Sequence, residues 1–192
     1  MKPSNLALAF KKCRQENRPA LLTYTVSGDP NKKKSFEILK VISRYADICE
    51  IGVEAGGPKN SKKHAAPLTY KSKIGVLHGA LQYVISDAEG QIQETESISA
   101  GLDYPGVSPL HCFLKDTKRA RYTAATDEEA LEAFKLVSKL EKVRPSLEPA
   151  HAFAEAIKIA PRLSKDTIIV VNSCGDAKKD MKIIKARLGH NL

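Results

Sequence analysis

The chain reads as an α/β protein, three layers built from a mainly parallel sheet with covering helices, and three observations point there. Ala20–Val26 (ALLTYTV) and Ile48–Val53 (ICEIGV) are apolar or β-branched runs, separated by an amphipathic stretch from Lys33 to Tyr45. Strand, helix, strand in that order is a βαβ unit, whose strands lie parallel with a right-handed crossover. Later, two helix-period patterns precede a continuous apolar run at Thr167–Asn172 (TIIVVN), the signature of a strand covered on both faces. Composition agrees: 42% hydrophobic and 28% charged residues over 192 positions describe a globular chain of one compact domain.

Each element has a local reason. Pro3–Asn17 places Leu6, Leu8, Ala9 and Phe10 among polar residues, which predicts a short amphipathic helix. The first strand ends at Ser27-Gly28-Asp29-Pro30-Asn31, a turn cluster. Phe36, Ile38, Leu39, Val41 and Ile42 supply the apolar face of the next helix, and only Glu50 interrupts the strand after it. Glu54 to Lys73 is rich in Gly, Pro, Lys and Ser and reads as a long loop. Leu81–Ile85 and Gln91–Thr95 flank Ser86–Gly90, which predicts a β-hairpin. Pro109–Lys118 reads as a short helix. Thr126-Asp127-Glu128-Glu129 is a capping box that opens a helix running to about Lys142. Leu147–Ala160 is a further helix, stopped by Pro161, and Asp180–Leu188 closes the chain as another.

Several classes are excluded. No apolar run approaches the roughly 18 residues of a membrane span, and the N-terminus has no cleavage-site pattern, so a cytoplasmic chain without membrane partners is expected. Cys13, Cys49, Cys112 and Cys174 lie far apart and form no CxxC pair, and the five histidines share no ligand spacing; no metal site is expected. The net charge of +9 invites a nucleic-acid reading, yet the lysines fall in short scattered clusters without Trp or stacking aromatics. That pattern argues against nucleic acid and for a solvated surface or an anion site.

From Ile51 to about Met181 the chain resembles the C-terminal part of the tryptophan synthase β subunit. The stretches that carry the resemblance are IGVEAGG, KHAAPL, IGVLHGALQYVISDAEGQIQETESISAGLDYPGVSP, ATDEEALEAFKLVSKLE, LEPAHAFAEAIK and IIVVNSCGDAKKDM. Residues 1–53, with AFKKCRQENRPALLTYTVSGDP and ADICEIGV, resemble the start of the α subunit. The two meet at Ile51-Gly52-Val53, so the chain looks like an α-to-β fusion with a large internal deletion. The resemblance implies a partial fold-type-II pyridoxal-phosphate domain over residues 51–192.

It also implies candidate residues. Glu50 matches the strand-end Glu that works with an Asp in cleaving indole-glycerol phosphate, but Glu54-Ala55-Gly56-Gly57 stands where that Asp is expected. Acid–base cleavage needs both partners, so Glu50 alone reads rather as a residue that caps or pairs at a strand end. In the β subunit, pyridoxal phosphate is held by the Lys of a His-Lys motif, and this chain has no His-Lys-x-Asn. Asp103, in GLDYP, matches an Asp of the closed active site, and Glu148 matches a Glu facing the cofactor ring. Cys174, followed by Gly175, stands where the family has a Ser on the pyridine nitrogen; a thiol bonds only weakly, and a small buried residue at a strand end is the favoured reading. The turn Ser27, Gly28 and Lys32 at a helix N-terminus is a candidate phosphate site, opposed by Asp29. The expected activity is therefore that of a tryptophan synthase derivative incomplete by itself, or alternatively a non-catalytic module that docks with tryptophan synthase subunits.

Two structural expectations follow. The N-terminal βαβ unit replaces one lost from the β subunit, which buries Val26 and Val53 and sets Ile48–Val53 beside Thr167–Asn172 in one sheet. Lys59–Lys73 and Gly101–Pro105 are expected to turn their backbone polar groups to water.

Overall fold

The computed structural model describes residues 5–17, 22–23, 48–49, 53–58, 61, 63–163 and 169–189. The chain divides into two compact units, Met1–Ile51 with Leu163–Val170, and Gly52–Arg162 with Val171–Leu192. In the first, helix α1 (Asn5–Gln15) buries Cys13 and ends in basic residues, Lys12 and Arg14, that favour the negative end of the helix dipole. Strand β1 (Leu22–Thr23) pairs parallel with β2 (Ile48–Cys49), Leu22 opposite Ile48. Parallel neighbours in sequence need a crossover between them, as the βαβ reading requires. The helix expected at Lys33–Tyr45, and Val26, lie outside the described residues.

The second unit is built around a helix pair. Helix α3 (Asp127–Glu141) opens with the expected capping box: Thr126 Oγ1 accepts from Glu129 N at 3.3 Å, and Thr126 N donates to Glu129 Oε2 at 2.8 Å. Helix α4 (Leu147–Ile159) packs against it, and Lys158 Nζ reaches Glu129 at 2.7 Å. Phe134, Leu131, Leu147 and Ala150 form the core with Ile98, Ala177 and Ile184, the last from helix α5 (Met181–Leu188). Beside this core, β3 (Glu54–Ala55) pairs parallel with β6 (Ala124–Ala125). The longest ladder is antiparallel, β4 (Lys73–Leu77) with β5 (Ala80–Val84), and helix α2 (Pro109–Asp116) packs on β5. The architecture is thus a mixture of helix and parallel pairs, with one antiparallel hairpin added.

Four expectations are corrected here. Of the expected buried strand Thr167–Asn172, Thr167 and Ile168 lie outside the described residues, Ile169 and Val170 are exposed, and no ladder among the described residues includes 169–172. A β-branched run becomes a strand only where a neighbour accepts its hydrogen bonds, and residues 50–52 of the expected neighbour Ile48–Val53 also lie outside the described residues. Val53 is half-buried. The hairpin lies one strand earlier than expected, because His78 and Gly79 both take positive φ (50° and 74°) and close a two-residue turn. The expected turn at Asp87–Gly90 does form, and a short antiparallel pairing follows it: Asp87 N donates to Gln91 O at 2.9 Å, Gln93 N to Ile85 O at 3.0 Å, and Ser86 bridges Ile92. Finally, the loop segments are tied to protein. Ala65 N donates to Ala55 O, Leu68 N to Glu54, and Leu102 N and Asp103 N to Ser99 O.

Candidate functional site

The site begins at the turn after β3. Gly56 packs so closely on β6 that an added Cβ would stand 3.0 Å from Ala125 O, and Gly57 takes φ +69° against the Lys63 carbonyl. Both positions need glycine, the second because its backbone is left-handed. The chain then returns so that Ala65 bridges to Ala55, and the following turn aims Leu68 N and Thr69 Oγ1 at Glu54. Leu68 N donates to Oε1 at 2.9 Å and Thr69 Oγ1 donates to Oε2 at 2.7 Å. Glu54 is buried, and burial pushes its carboxyl above the ordinary range. The bonds from Thr69 and Leu68 and the nearby Lys115 ammonium hold it back in part.

Glu54 forms one wall of a cleft of about 220 Å³, with Pro67, Leu68, Leu102, Tyr104, His111 and Tyr122 around it. His111 Nδ1 and the Tyr122 hydroxyl share a 2.8 Å hydrogen bond, and their rings meet edge to face at 5.7 Å. Burial lowers the His111 pKa from its ordinary value. The cleft can take a small, mostly apolar molecule, with the Glu54 carboxyl and the His111–Tyr122 pair as polar edges. Among the described residues no lysine lines it.

Gly101 joins this cleft to a second cluster at the N-terminus of α4. Gly101 lines the cleft, and its N–H donates to Glu148 Oε1 at 3.2 Å. Lys179 Nζ donates to the same oxygen at 2.7 Å. Burial pushes the Glu148 carboxyl up, and the hydrogen bond from Lys179, with those from the backbone and Ser146, more than reverses it; the group lies below its usual value. The partner Lys179 is raised for the same reason. Gly175 is held here by its carbonyl, which accepts from Ser146 N at 3.0 Å.

The expected site residues divide accordingly. Glu148 and Gly175 come together with Gly101. Asp103, two residues on, is exposed and accepts from Thr95 Oγ1 at 2.7 Å. Cys174 is exposed, not a buried strand-end residue, because residues 169–175 take no ladder partner among the described residues. Glu50, Ser27, Gly28 and Lys32 lie outside the described residues. Among the described residues no group of three or more His, Cys, Asp or Glu could hold a metal ion, and no helix is long and apolar enough to cross a membrane. Sequence reasoning missed Glu54, His111 and Tyr122. Glu54 carried a signal, a single carboxylate directly after the apolar Ile51-Gly52-Val53; the His–Tyr pair, eleven residues apart across a helix, carried none.

Residues 10–60 match the family model of the tryptophan synthase alpha chain. The chain is 51% identical over 170 residues to the tryptophan synthase beta chain of Bordetella parapertussis, covering 88% of this chain and 42% of that protein. It is 53% identical over 146 residues to the beta chain of Bordetella petrii (76% of this chain, 36% of that protein) and 50% identical over 143 residues to that of Chromobacterium violaceum (74% and 36%). The chain thus spans well under half the length of these curated relatives. The 170-residue match is too long to stop short of the residues that the alpha-chain model covers, so the two similarities overlap. The similarity is therefore to the alpha chain over residues 10–60 and to beta chains over most of the chain.

Proposed function

We propose that the chain is a tryptophan synthase-derived protein, an alpha-like segment over residues 1–53 fused to a beta-like segment over 51–192, and that by itself it does not make tryptophan. The beta-chain family implies pyridoxal phosphate, which supplies an electron sink for bond making at an amino-acid α-carbon. The observation that carries the proposal is the wall of the cleft. Its polar groups are Glu54, His111 and the tyrosines, and among the described residues no lysine lines it to form a Schiff base. A buried carboxylate also repels a phosphate dianion at that wall. The residues described do not fit the cofactor, and no step is routed through it. In this reading Glu148 and Asp103 are remnants, and Glu50 lacks the acid–base partner that indole-glycerol phosphate cleavage needs.

The test uses the purified chain with equimolar pyridoxal phosphate, followed by borohydride and peptide mass spectrometry. The expected result is no saturable lysine-bound absorbance band and no single lysine reduced in preference to the others. One lysine trapped stoichiometrically, or tryptophan formed from serine and indole by protein free of host enzyme, overturns it.

A second reading, a non-catalytic module that docks with intact tryptophan synthase subunits, is favoured by Leu136, Leu140 and Val143. These recur at helical spacing along α3 and just past its end, and all three are exposed. Co-sedimentation with an intact alpha or beta chain, lost in Leu140→Glu, is the expected result under that reading. Equal recovery of Leu140→Glu removes this helix face from it.

A further inference from the structure

We propose that the outer edge of β4 is a self-association surface that pairs antiparallel with β4 of a second copy of this chain. Among the described residues β4 and β5 form a two-stranded sheet, so β4 has one edge without a strand neighbour. The register settles which groups face that edge. Leu77 and Ala80 flank the two-residue turn and exchange hydrogen bonds, so Gly75 with Gln82 and Lys73 with Val84 do likewise. Ile74 and Val76 sit at the alternate positions and turn their N–H and C=O outward. The same alternation shows on β5, where Tyr83 N, opposite Ile74, points away from β4 and donates to Cys112 Sγ at 3.4 Å.

The side chains make the edge adhesive. Ile74, Val76 and Leu81 lie on one face of the hairpin and are 69%, 69% and 64% exposed. Natural edge strands are guarded by lysine, proline or a bulge. Here the only charged residue of the strand is Lys73, and its ammonium is folded away onto the Asp87 and Ala88 carbonyls, 3.1 Å from the latter. A second copy fits this edge by its own symmetry. A twofold axis through Gly75 sets Ile74 opposite Val76 of the other chain, so each pair exchanges both backbone hydrogen bonds. It also sets Lys73 opposite Leu77, so no lysine faces a lysine despite the +9 charge of each chain. The apolar side chains of both copies then share one face as cross-strand neighbours. Such an interface is small, below the roughly 1,200 Å² of a standard one, so a weak, concentration-dependent association is expected.

Sedimentation velocity of the whole chain between about 10 μM and about 1 mM, a range suited to such a weak association, tests this. The weight-average mass is expected to rise with concentration toward twice the chain mass. Val76→Pro removes only an outward N–H, which edge strands tolerate, and is expected to weaken association about tenfold or more with an unchanged far-ultraviolet spectrum. Ile74→Lys, which places a charge at the axis without touching the backbone, is expected to do the same. A monomer at every concentration overturns the proposal, as does a dimer equally strong in both variants. A chain that stays monomeric alone but pairs through this edge with an intact beta chain assigns the surface to that partner instead and equally overturns self-pairing.

Discussion

At the scale of single residues, the second unit keeps buried carboxylates that cost stability while ionised. Asp127, at the first position of α3, is 2% exposed, accepts from Ile98 N at 3.3 Å through Oδ1, and has Oδ2 buried without a partner among the described residues. Burial pushes its pKa up to about 6, against the bond from Ile98 and the charge of Arg187, with Glu128 and Glu96 adding to the rise. The folded value lies above the unfolded one, so the folded chain takes up this proton first. Its contribution to stability therefore grows as the pH falls from about 6 toward about 4, where the unfolded Asp protonates too. Asp127→Asn keeps the acceptor for Ile98 and removes the charge. It is expected to raise stability at pH 8 by on the order of 2 kcal/mol, less what the helix dipole returned to the carboxylate, with no gain near pH 4. Urea unfolding at the two pH values checks this, and a gain equal at both would mean that the charge was not the cost. Gly57→Ala works in the opposite sense: its φ of +69° and the carbonyls of Lys63 and Glu96 leave no room for a methyl group. A loss of more than about 1 kcal/mol is expected at any pH, and an unchanged melting temperature would refute the steric account.

At the scale of elements, the two main helices solve the problem of their free N–H groups differently. Helix α3 carries its own capping box, so both its existence and its first residue were legible from Thr126 and Glu129 alone. Helix α4 makes no side-chain cap from Ser146; its Leu147 N–H donates instead to Asp180 Oδ2 at 2.8 Å, a buried carboxylate contributed from beyond the helix pair. That contact spans thirty-three positions and no local pattern announces it. Asp180→Ala strands a buried N–H and is expected to cost about 1–3 kcal/mol, while Thr126→Ala costs about 1 kcal/mol. A smaller loss for Asp180→Ala than for Thr126→Ala in thermal unfolding would reverse this ranking. The same contrast explains which elements were readable. Among the described residues, helices with internal periods were placed within a residue or two, whereas strands were misplaced wherever pairing, and not composition, decided. The apolar Ile169, Val170 and Val171 belong to no ladder among the described residues, while the modest Lys73–Leu77 finds a strand partner through a turn whose His-Gly pair is a weaker signal than Asn-Gly. Glu148 and Gly175 were legible only through the family resemblance, and Glu54 escaped because its partners, Leu68 and Thr69, lie in a stretch whose composition reads as loop.

At the scale of the whole molecule, one division between the compact units falls between Ile51 and Gly52, while Leu163–Val170, from the beta-like part of the sequence, belongs with the first unit. The beta-like unit carries its own hydrophobic core, drawn from Ile98, the α3–α4 pair, Ala177 and α5, and it holds the Glu54 turn by bonds made within the same unit. A segment whose polar groups are bonded within its own unit needs no other unit to satisfy them. Amide exchange separates this view from one in which the junction loop is open to water. The Ala65 and Leu68 amides, bonded to Ala55 O and the Glu54 carboxylate, are expected to be protected to a degree comparable with the Ala130 amide at the head of α3. Glu54→Gln can still accept through its amide oxygen but puts N–H groups where the second oxygen accepted, so one of the two bonds fails and protection at Leu68 or the Thr69 hydroxyl falls selectively. Val170 and Val171, without a strand partner among the described residues, are expected to exchange far faster than either. Fast exchange at Ala65 and Leu68 together with slow exchange at Val170 would instead place the ordered strand where the apolar sequence alone puts it.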